Sequence, residues 1–402
     1  MRILLVQSTV YVPSWGGANK SNRLLLEGLT GRGHNCRVVA PACGAHACAS
    51  RESFLSALSN RGIVSTTLIG DIQAFEFNRV EVRAVVKPAG MVTSLIHEIR
   101  DFAPDWVIVA SEDAGQVLLA VALKEAPSRI VYLARTTLAL PFGPGSPFHS
   151  SSATNLLRQV AGIVCVSRYL VDYFRQWAGL ESTELPICPN GPGPFPELGR
   201  LDRGHVVMVN PCAYKGLSLF AALAKAVPNV SFAAVPTWGT TDDDIRQLSN
   251  IPNVALLSAS DDIDDVFASA RVLLVPSLWA EAKSNMITEA MLRGIPVLAS
   301  DVGGNGEAML GIDYLLPVNP IVSYQPQLDQ RMLPVSFIPP QDIRPWLDAL
   351  GELLGSHSSY RRVSVAARAA ALVANEKNTV IPFEDYLIQL SRIHSRLGAA
   401  LN

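Results

Sequence analysis

The chain has 402 residues, of which 49% are apolar and 17% charged, with a formal net charge of -2. That composition suits large buried cores and excludes a disordered chain, and the length exceeds one typical domain, so two domains are expected. A balanced charge carries no electrostatic footprint for a nucleic-acid partner.

The opening MRILLVQSTVYVPSW is too short, and too polar on its far side, to read as a signal peptide. Short apolar runs then recur as strands at 3–7, 36–40, 106–110, 130–133 and 163–166, separated by helix-like stretches such as 22–29 and 116–124. Unbroken apolar strands alternating with helices predict a parallel sheet covered on both faces. Gly31 and Gly33 read as a helix stop before RGHNCRVVAP enters the second strand. The Pro- and Gly-rich stretch 186–204 predicts a domain boundary, after which strands restart at 206–210, 230–235, 254–257, 272–275 and 297–300. The expectation is an α/β protein with two doubly wound parallel-sheet domains, 1–190 and 191–380. Residues 346–402 are helical in pattern, with the segment 381–402 crossing back to the first domain. Ligands of such sheets bind beyond the carboxyl ends of the strands, so two facing sheets would enclose a cleft walled by loops. The longest apolar run, 117–123, is far short of a membrane span. A cytoplasmic protein with at most peripheral membrane contact is therefore expected, and no pattern specifies an oligomeric state.

Among six cysteines, Cys165 and Cys188 sit in apolar surroundings and read as buried small hydrophobes. Cys43, His46 and Cys48 lack the second cluster that a metal site would need, so no metal is expected.

The stretch WAEAKSNMITEAMLRGIPVLAS, 279–300, places Glu281 and Glu289 eight positions apart. The preceding strand ends at Pro276-Ser277, Ser284 fits a helix N-cap, and Gly294 with Pro296 ends the helix. The helix start offers free backbone N–H groups, a ready anion site. Glu281 on the loop and Glu289 in the early helix each suit a pair of hydroxyls. An anion between two polyol binders describes a sugar nucleotide. The plain alternative is a solvated Glu281, with Glu289 complementing the helix N-terminus.

PSLWAEAKSNMITEAMLRGIPVLASDVGGNGE resembles the Glu-x7-Glu region of retaining glycosyltransferases of family 4, also called group 1, which have the GT-B fold of two Rossmann-like domains. The resemblance extends to Gly16-Gly17, RGHNCRVVAP, VSRYL from Val166, the PNG of 189–191, KG at 215–216 and GG at 303–304. It implies that Glu281 contacts donor-sugar hydroxyls and Glu289 the ribose. It implies that Lys215 neutralises the donor diphosphate and that the amides around Ser284, Asn285 and Met286 meet the sugar and diphosphate. Gly16 and Gly17 match a flexible loop near the donor phosphate, and Gly303 and Gly304 a small-residue turn on the cleft wall. No cofactor is implied beyond a UDP-, GDP- or dTDP-sugar donor, and the partner is a small-molecule acceptor. Cleaving the bond from anomeric carbon to phosphate puts charge on the diphosphate, and fixed cations and amides lower that barrier without a metal.

Three departures stand out. The family often has an arginine five or six residues before the lysine, where VNPCAYKG has Val209 or Asn210; Arg135 or Lys283 would have to substitute. The Phe-Gly usual after the first glutamate is Lys283-Ser284, and serine lacks glycine's backbone freedom. The common first-domain histidine is matched by Arg135, which cannot act as a base but can hold a phosphate or carboxylate. Glu112, just beyond strand 106–110, is a candidate for the acceptor hydroxyl, with a solvated loop acid as the alternative.

TTDDDIRQ and SDDIDD read as helix starts, with Thr or Ser caps and acids in the first turn, and not as metal-binding Asp-x-Asp. Trp238 follows a strand, where it stacks on a base or merely packs, and 257–260 edges the same region. The loop LALPFGPGSPFH, 138–149, reads as an apolar cover suited to a natural-product or lipid-like acceptor, or else packs on its own domain. The resemblance thus implies a metal-independent retaining glycosyltransferase that moves a hexose-type sugar to a hydroxyl or amine. The rivals are a phosphate-dependent glycoside phosphorylase, a sugar-nucleotide hydrolase, and a non-catalytic sugar-nucleotide-binding subunit.

Overall fold

Apolar runs without polar alternation become central strands here, because helices cover both faces of each sheet. The computed structural model describes residues 1–400 apart from 15, 45–47, 186 and 188–189, and excludes the side chains of 395 and 397–400. His46 and Cys188 thus lie outside the described residues, whereas Cys165 is fully buried. The chain forms two units, Met1–Pro189 with Asn378–Asn402, and Asn190–Lys377.

The first unit runs β1 (Arg2–Val6), α1 (Gly17–Gly31), β2 (Asn35–Pro41), α2 (Arg51–Ser59), β3 (Thr66–Leu68), β4 (Ile72–Phe77), β5 (Val80–Val85), α3 (Met91–Phe102), β6 (Trp106–Ala110), α4 (Val117–Glu125), β7 (Ile130–Ala134), α5 (Ser151–Leu157), β8 (Gly162–Cys165), α6 (Arg168–Ala178) and β9 (Thr183–Glu184). Among the described residues its sheet has the order β3-β4-β5-β2-β1-β6-β7-β8-β9. Pairing is parallel from β5 through β9, while β3, β4 and β5 form an antiparallel extension. That extension was not expected, since IQAFEF and VEVRAV carry charges in alternation and lack a solid apolar run.

The second unit runs β10 (His205–Val209), α7 (Leu217–Ala226), β11 (Phe232–Val235), α8 (Asp242–Ser249), β12 (Val254–Leu256), α9 (Ile263–Phe267), β13 (Ala270–Val275), α10 (Asn285–Leu292), β14 (Val297–Ser300), α11 (Asn305–Ala308), β15 (Leu315–Leu316), β16 (Tyr324–Leu328), β17 (Pro334–Ser336), α12 (Arg344–Gly355) and α13 (His357–Lys377). Its main sheet, β12-β11-β10-β13-β14-β15, is parallel throughout, and β16 and β17 form a separate antiparallel pair. The acidic runs begin helices. Thr241 and Asp244 make a capping box at α8, whereas α9 is capped by Asp262 and not by the expected serine, because Ser260 donates to Asp265 instead. Among the described residues no group of three or more His, Cys, Asp or Glu side chains converges, and no helix is long and apolar enough to cross a membrane.

The last helix, α14 (Ile381–Ala400), belongs to the first unit, where Phe383 and Leu387 are fully buried in the core around β1 and β2. Glu384 clasps it to the α1–β2 turn, accepting from Arg32 Nε and pairing with His34 Nε2 at 2.8 Å. Burial alone would push the Glu384 carboxyl up, but the bonds and charges of His34 and Arg32 outweigh it and hold the group below its ordinary range. A depressed carboxyl stabilises the fold above its unfolded value, about pH 4.3, and that contribution is lost as pH falls through the lower folded value. Glu384→Gln should therefore flatten the acid limb of the unfolding midpoint below about pH 4.3. An acid limb identical to the parent's would remove the clasp from the stability account.

Candidate functional site

In the second unit the carboxyl ends of β10 and β13 bring two loops together. The amides of Leu278 and Trp279 both donate to the carbonyl of Tyr214, at 2.9 and 3.2 Å. That zipper sets Lys215 beside Glu281: Lys215 Nζ donates to Glu281 Oε1 at 2.5 Å, and Ser277 Oγ donates to the same oxygen at 2.5 Å. Glu281 is 5% exposed, so its charge is balanced inside the fold and is not solvated. Lys215 Nζ also lies 5.3 Å from the centroid of the Trp279 ring, which packs edge-on against Tyr214 at 5.6 Å.

Gly303 and Gly304 form the floor of this loop. Gly303 has φ 56°, and a Cβ there would meet the Glu281 carbonyl at 2.2 Å; Gly304 N donates to that carbonyl at 2.8 Å. Only glycine allows both the left-handed angle and the close approach. The family-like glycine pair therefore has a physical reason, which is to let the backbone of β14's following turn lie directly on the glutamate loop.

Ser284 takes the N-cap position of α10, but its side chain makes no cap bond. The expectation of a side-chain cap is corrected; the first-turn amides, including those of Asn285 and Met286, lack that competitor. Glu289, the fifth residue of α10 and 4% exposed, lies one turn on, and its carbonyl is held by Arg293 Nη1 at 2.9 Å. Gly294 at φ 68° ends the helix, with Ile295 N reaching back to Ala290 O at 3.0 Å. Lys283 is half-buried on the loop between Glu281 and α10.

Asn210 stands at φ 61° directly after β10, 4% exposed, and accepts from Gly239 N at 2.9 Å and Thr240 Oγ1 at 3.5 Å. It ties the loop after β11, which carries the half-buried Trp238, to the loop that carries Lys215. Sequence reasoning missed three contributors. Ser277 was in view but its contact with Glu281 depends on the loop's path, Trp279 borders Lys215, and Arg331 donates from Nε to Thr240 O at 3.0 Å. Arg331 comes from the β16–β17 hairpin, which is anchored by the Tyr214 hydroxyl to Pro334 O. Arg331 and Asn210 thus both bond Thr240, the guanidinium at its carbonyl and the amide oxygen at its hydroxyl.

The remaining candidates lie in the first unit. Gly16, at φ 85° and ψ 153°, is the N-cap of α1 in a region that glycine alone occupies readily, and Gly17 opens the helix. Arg135 and Glu112 follow the adjacent strands β7 and β6, which pair Leu133 with Ala110. Arg135 is 9% exposed; its Nη1 donates to Ser21 Oγ of α1 at 2.6 Å and its backbone N to Ser111 Oγ at 2.9 Å. Burial pushes its guanidinium down to about 10, against the opposing pull of Glu112. Glu112 is partly exposed as a residue, yet both carboxylate oxygens are buried, and burial outweighs Arg135 to push its carboxyl up. The loop 138–149 does not stand free as an apolar cover. Leu138, Leu140 and Phe142 are buried, Phe142 packs edge-on against Phe174 of α6 at 5.1 Å, and the Tyr173 hydroxyl accepts from Gly145 N at 2.9 Å. Its apolar side chains are absorbed by its own domain, which is the second of the two readings of that loop.

Two α/β units, each built on a parallel central sheet, are the architecture of the GT-B class. The family description Glycosyltransferase Family 4 matches residues 15–192, and Glycosyl transferases group 1 matches residues 203–320. Solved structures share the architecture. Sucrose-phosphate synthase from Thermosynechococcus elongatus is 16% identical over 100% of both chains, with a TM-score of 0.67. Anabaena HepE in complex with UDP-glucose is 17% identical over 98% of this chain and 100% of that one, at 0.64. The catalytic domain of starch synthase IV from Arabidopsis thaliana, bound to ADP and acarbose, is 12% identical over 98% of each chain, at 0.63. No curated protein matches the chain in sequence. The chain belongs to the family 4, group 1 glycosyltransferases of the GT-B fold.

Proposed function

We propose that this glycosyltransferase moves a hexose-type sugar from a nucleotide donor to a hydroxyl or amine of a small-molecule acceptor, with retention and without a metal. The observation that carries the reading is the Lys215–Glu281 pair at the strand ends, with the glycine turn beneath it and the uncapped start of α10 in the same loop. The bonds from Lys215 and Ser277 to Glu281 both fall on Oε1, so Oε2 faces the donor-sugar hydroxyls in this reading. Lys215 keeps further N–H donors for the diphosphate. Arg331 supplies the second positive charge that Asn210 cannot. Glu289 takes the ribose. The anomeric C–O bond to diphosphate breaks as the acceptor oxygen or nitrogen bonds to the same face of that carbon. The leaving phosphate oxygen takes the acceptor's proton, so Arg135 in the histidine's place does not stop the reaction. HepE, whose solved complex holds UDP-glucose, supports a nucleotide-sugar donor by likeness.

The test is thermal unfolding with UDP, GDP, ADP and dTDP, each in excess. At about 100 times its dissociation constant, the cognate nucleotide adds roughly 2.7 kcal/mol of stability. One nucleotide should raise the midpoint above the others, and Glu289→Ala should weaken its binding about tenfold or more. No response to any nucleotide would sink the reading. Product anomers, read by NMR, then test retention. The missing family arginine and histidine favour one other reading, a non-catalytic binder, which would hold the donor but never turn it over with any acceptor.

A further inference from the structure

Buried polar groups in folded proteins are nearly always bonded, and a charged one without partners is costly. Among the described residues of the first unit that break this rule are two oppositely charged side chains at the ends of neighbouring strands. Arg135 keeps Nε and Nη2 buried and unpaired, and Glu112 keeps both carboxylate oxygens buried and unpaired. They emerge side by side from β7 and β6, so a structural ion pair was within reach, yet no hydrogen bond joins them. Ser21 holds only Nη1 of the guanidinium, at 2.6 Å, and Ser111 fixes the backbone beneath it at 2.9 Å. The two nitrogens left over are the ones that form the side-on edge of the guanidinium fork, the edge that receives a carboxylate or phosphate with two parallel bonds. A neighbouring buried hydroxyl, that of Tyr132, is also unpaired.

We propose that Arg135 and Glu112 form a recognition site for a carboxylate or phosphate group on the reacting small molecule, with Arg135 Nε and Nη2 taking two of its oxygens and Glu112 accepting from an adjacent O–H or N–H. Ser21 and Ser111 are positioning residues that keep the fork aimed. The proposal rests on the glycosyltransferase reading above and adds the chemical class of the substrate: it carries an anion. The anion sits on the acceptor, the substrate assigned to the first unit.

The test uses the full chain, Arg135→Met and Arg135→Lys, with the nucleotide found above present throughout. Unfolding midpoints and titrations are measured with inorganic phosphate and with 4-hydroxybenzoate against its methyl ester. The parent should prefer at least one anionic probe to its neutral partner, Arg135→Met should lose that preference by about thirtyfold or more, and Arg135→Lys should lose part of it. Without ligand, Arg135→Met leaves Glu112 buried without its neighbouring cation and should lose stability, whereas Arg135→Met with Glu112→Gln removes both charges and should recover it. The proposal is overturned if the parent and Arg135→Met treat acid and ester alike and neither responds to phosphate. Arg135 is then a structural partner of Ser21. Because nucleotide binding is read in the same proteins, nucleotide response without anion preference overturns this inference alone, whereas absent nucleotide response overturns the glycosyltransferase reading.

Discussion

Replacing Lys215 with methionine should lower kcat by about 10² to 10³, the usual loss when one fixed charge facing a developing anion is removed. The same change should lower stability, because Glu281 would keep its charge in a site 5% exposed with Ser277 as its remaining bonded partner. Breaking one half of a buried pair costs on the order of 3 kcal/mol. The two effects separate in a double-mutant cycle. Glu281→Gln removes the stranded charge, so Lys215→Met with Glu281→Gln should recover much of the stability of Lys215→Met alone and none of the rate. Recovery of rate along with stability would mean that Lys215 serves only to hold the loop.

The second large effect is expected at Gly303. Alanine there adds left-handed strain of about 1–2 kcal/mol and drives a methyl to 2.2 Å from the Glu281 carbonyl. Overpacking of that kind adds about 1–3 kcal/mol, and the relief available is to push residues 280–282 away from Lys215. Gly303→Ala should therefore lose stability and nucleotide binding together. Gly311 is the matched control: it has φ 76° and nothing within 4 Å of the added methyl. Gly311→Ala should lose about 1–2 kcal/mol and bind nucleotide as the parent does. If Gly303→Ala behaves like Gly311→Ala, the close packing of the glycine turn on the glutamate loop is not what shapes the site.

Much of this architecture was readable in advance. The ten expected strands appear within a residue or two at each end, because each is a solid apolar run, and all but the edge strand β12 are largely buried. The antiparallel β3, β4 and β5 and the β16–β17 hairpin were not, since runs as short and polar as TTL and YQPQL carry no solid apolar stretch to set them apart from loops. The donor-side candidates were legible as a spacing, Glu281 to Glu289, carried by one strand, one loop and one helix in succession.

The sequence by itself determined the class of fold, the alternation of strands and helices, the Glu-x7-Glu loop and the departures at Asn210, Lys283 and Arg135. All of these are written in neighbouring residues, where periodicity and turn chemistry act. Only the tertiary structure decided that Lys215 meets Glu281 across 66 positions and Arg135 meets Ser21 across 114. It likewise decided that Gly303 lies on the Glu281 carbonyl, that the apolar loop 138–149 is absorbed by its own domain, and that α14 packs on β1. The physical reason is that such contacts depend on which strand ends become neighbours in the sheet. Parallel pairing joins strands distant in the chain, and no local pattern records which loop will then face which.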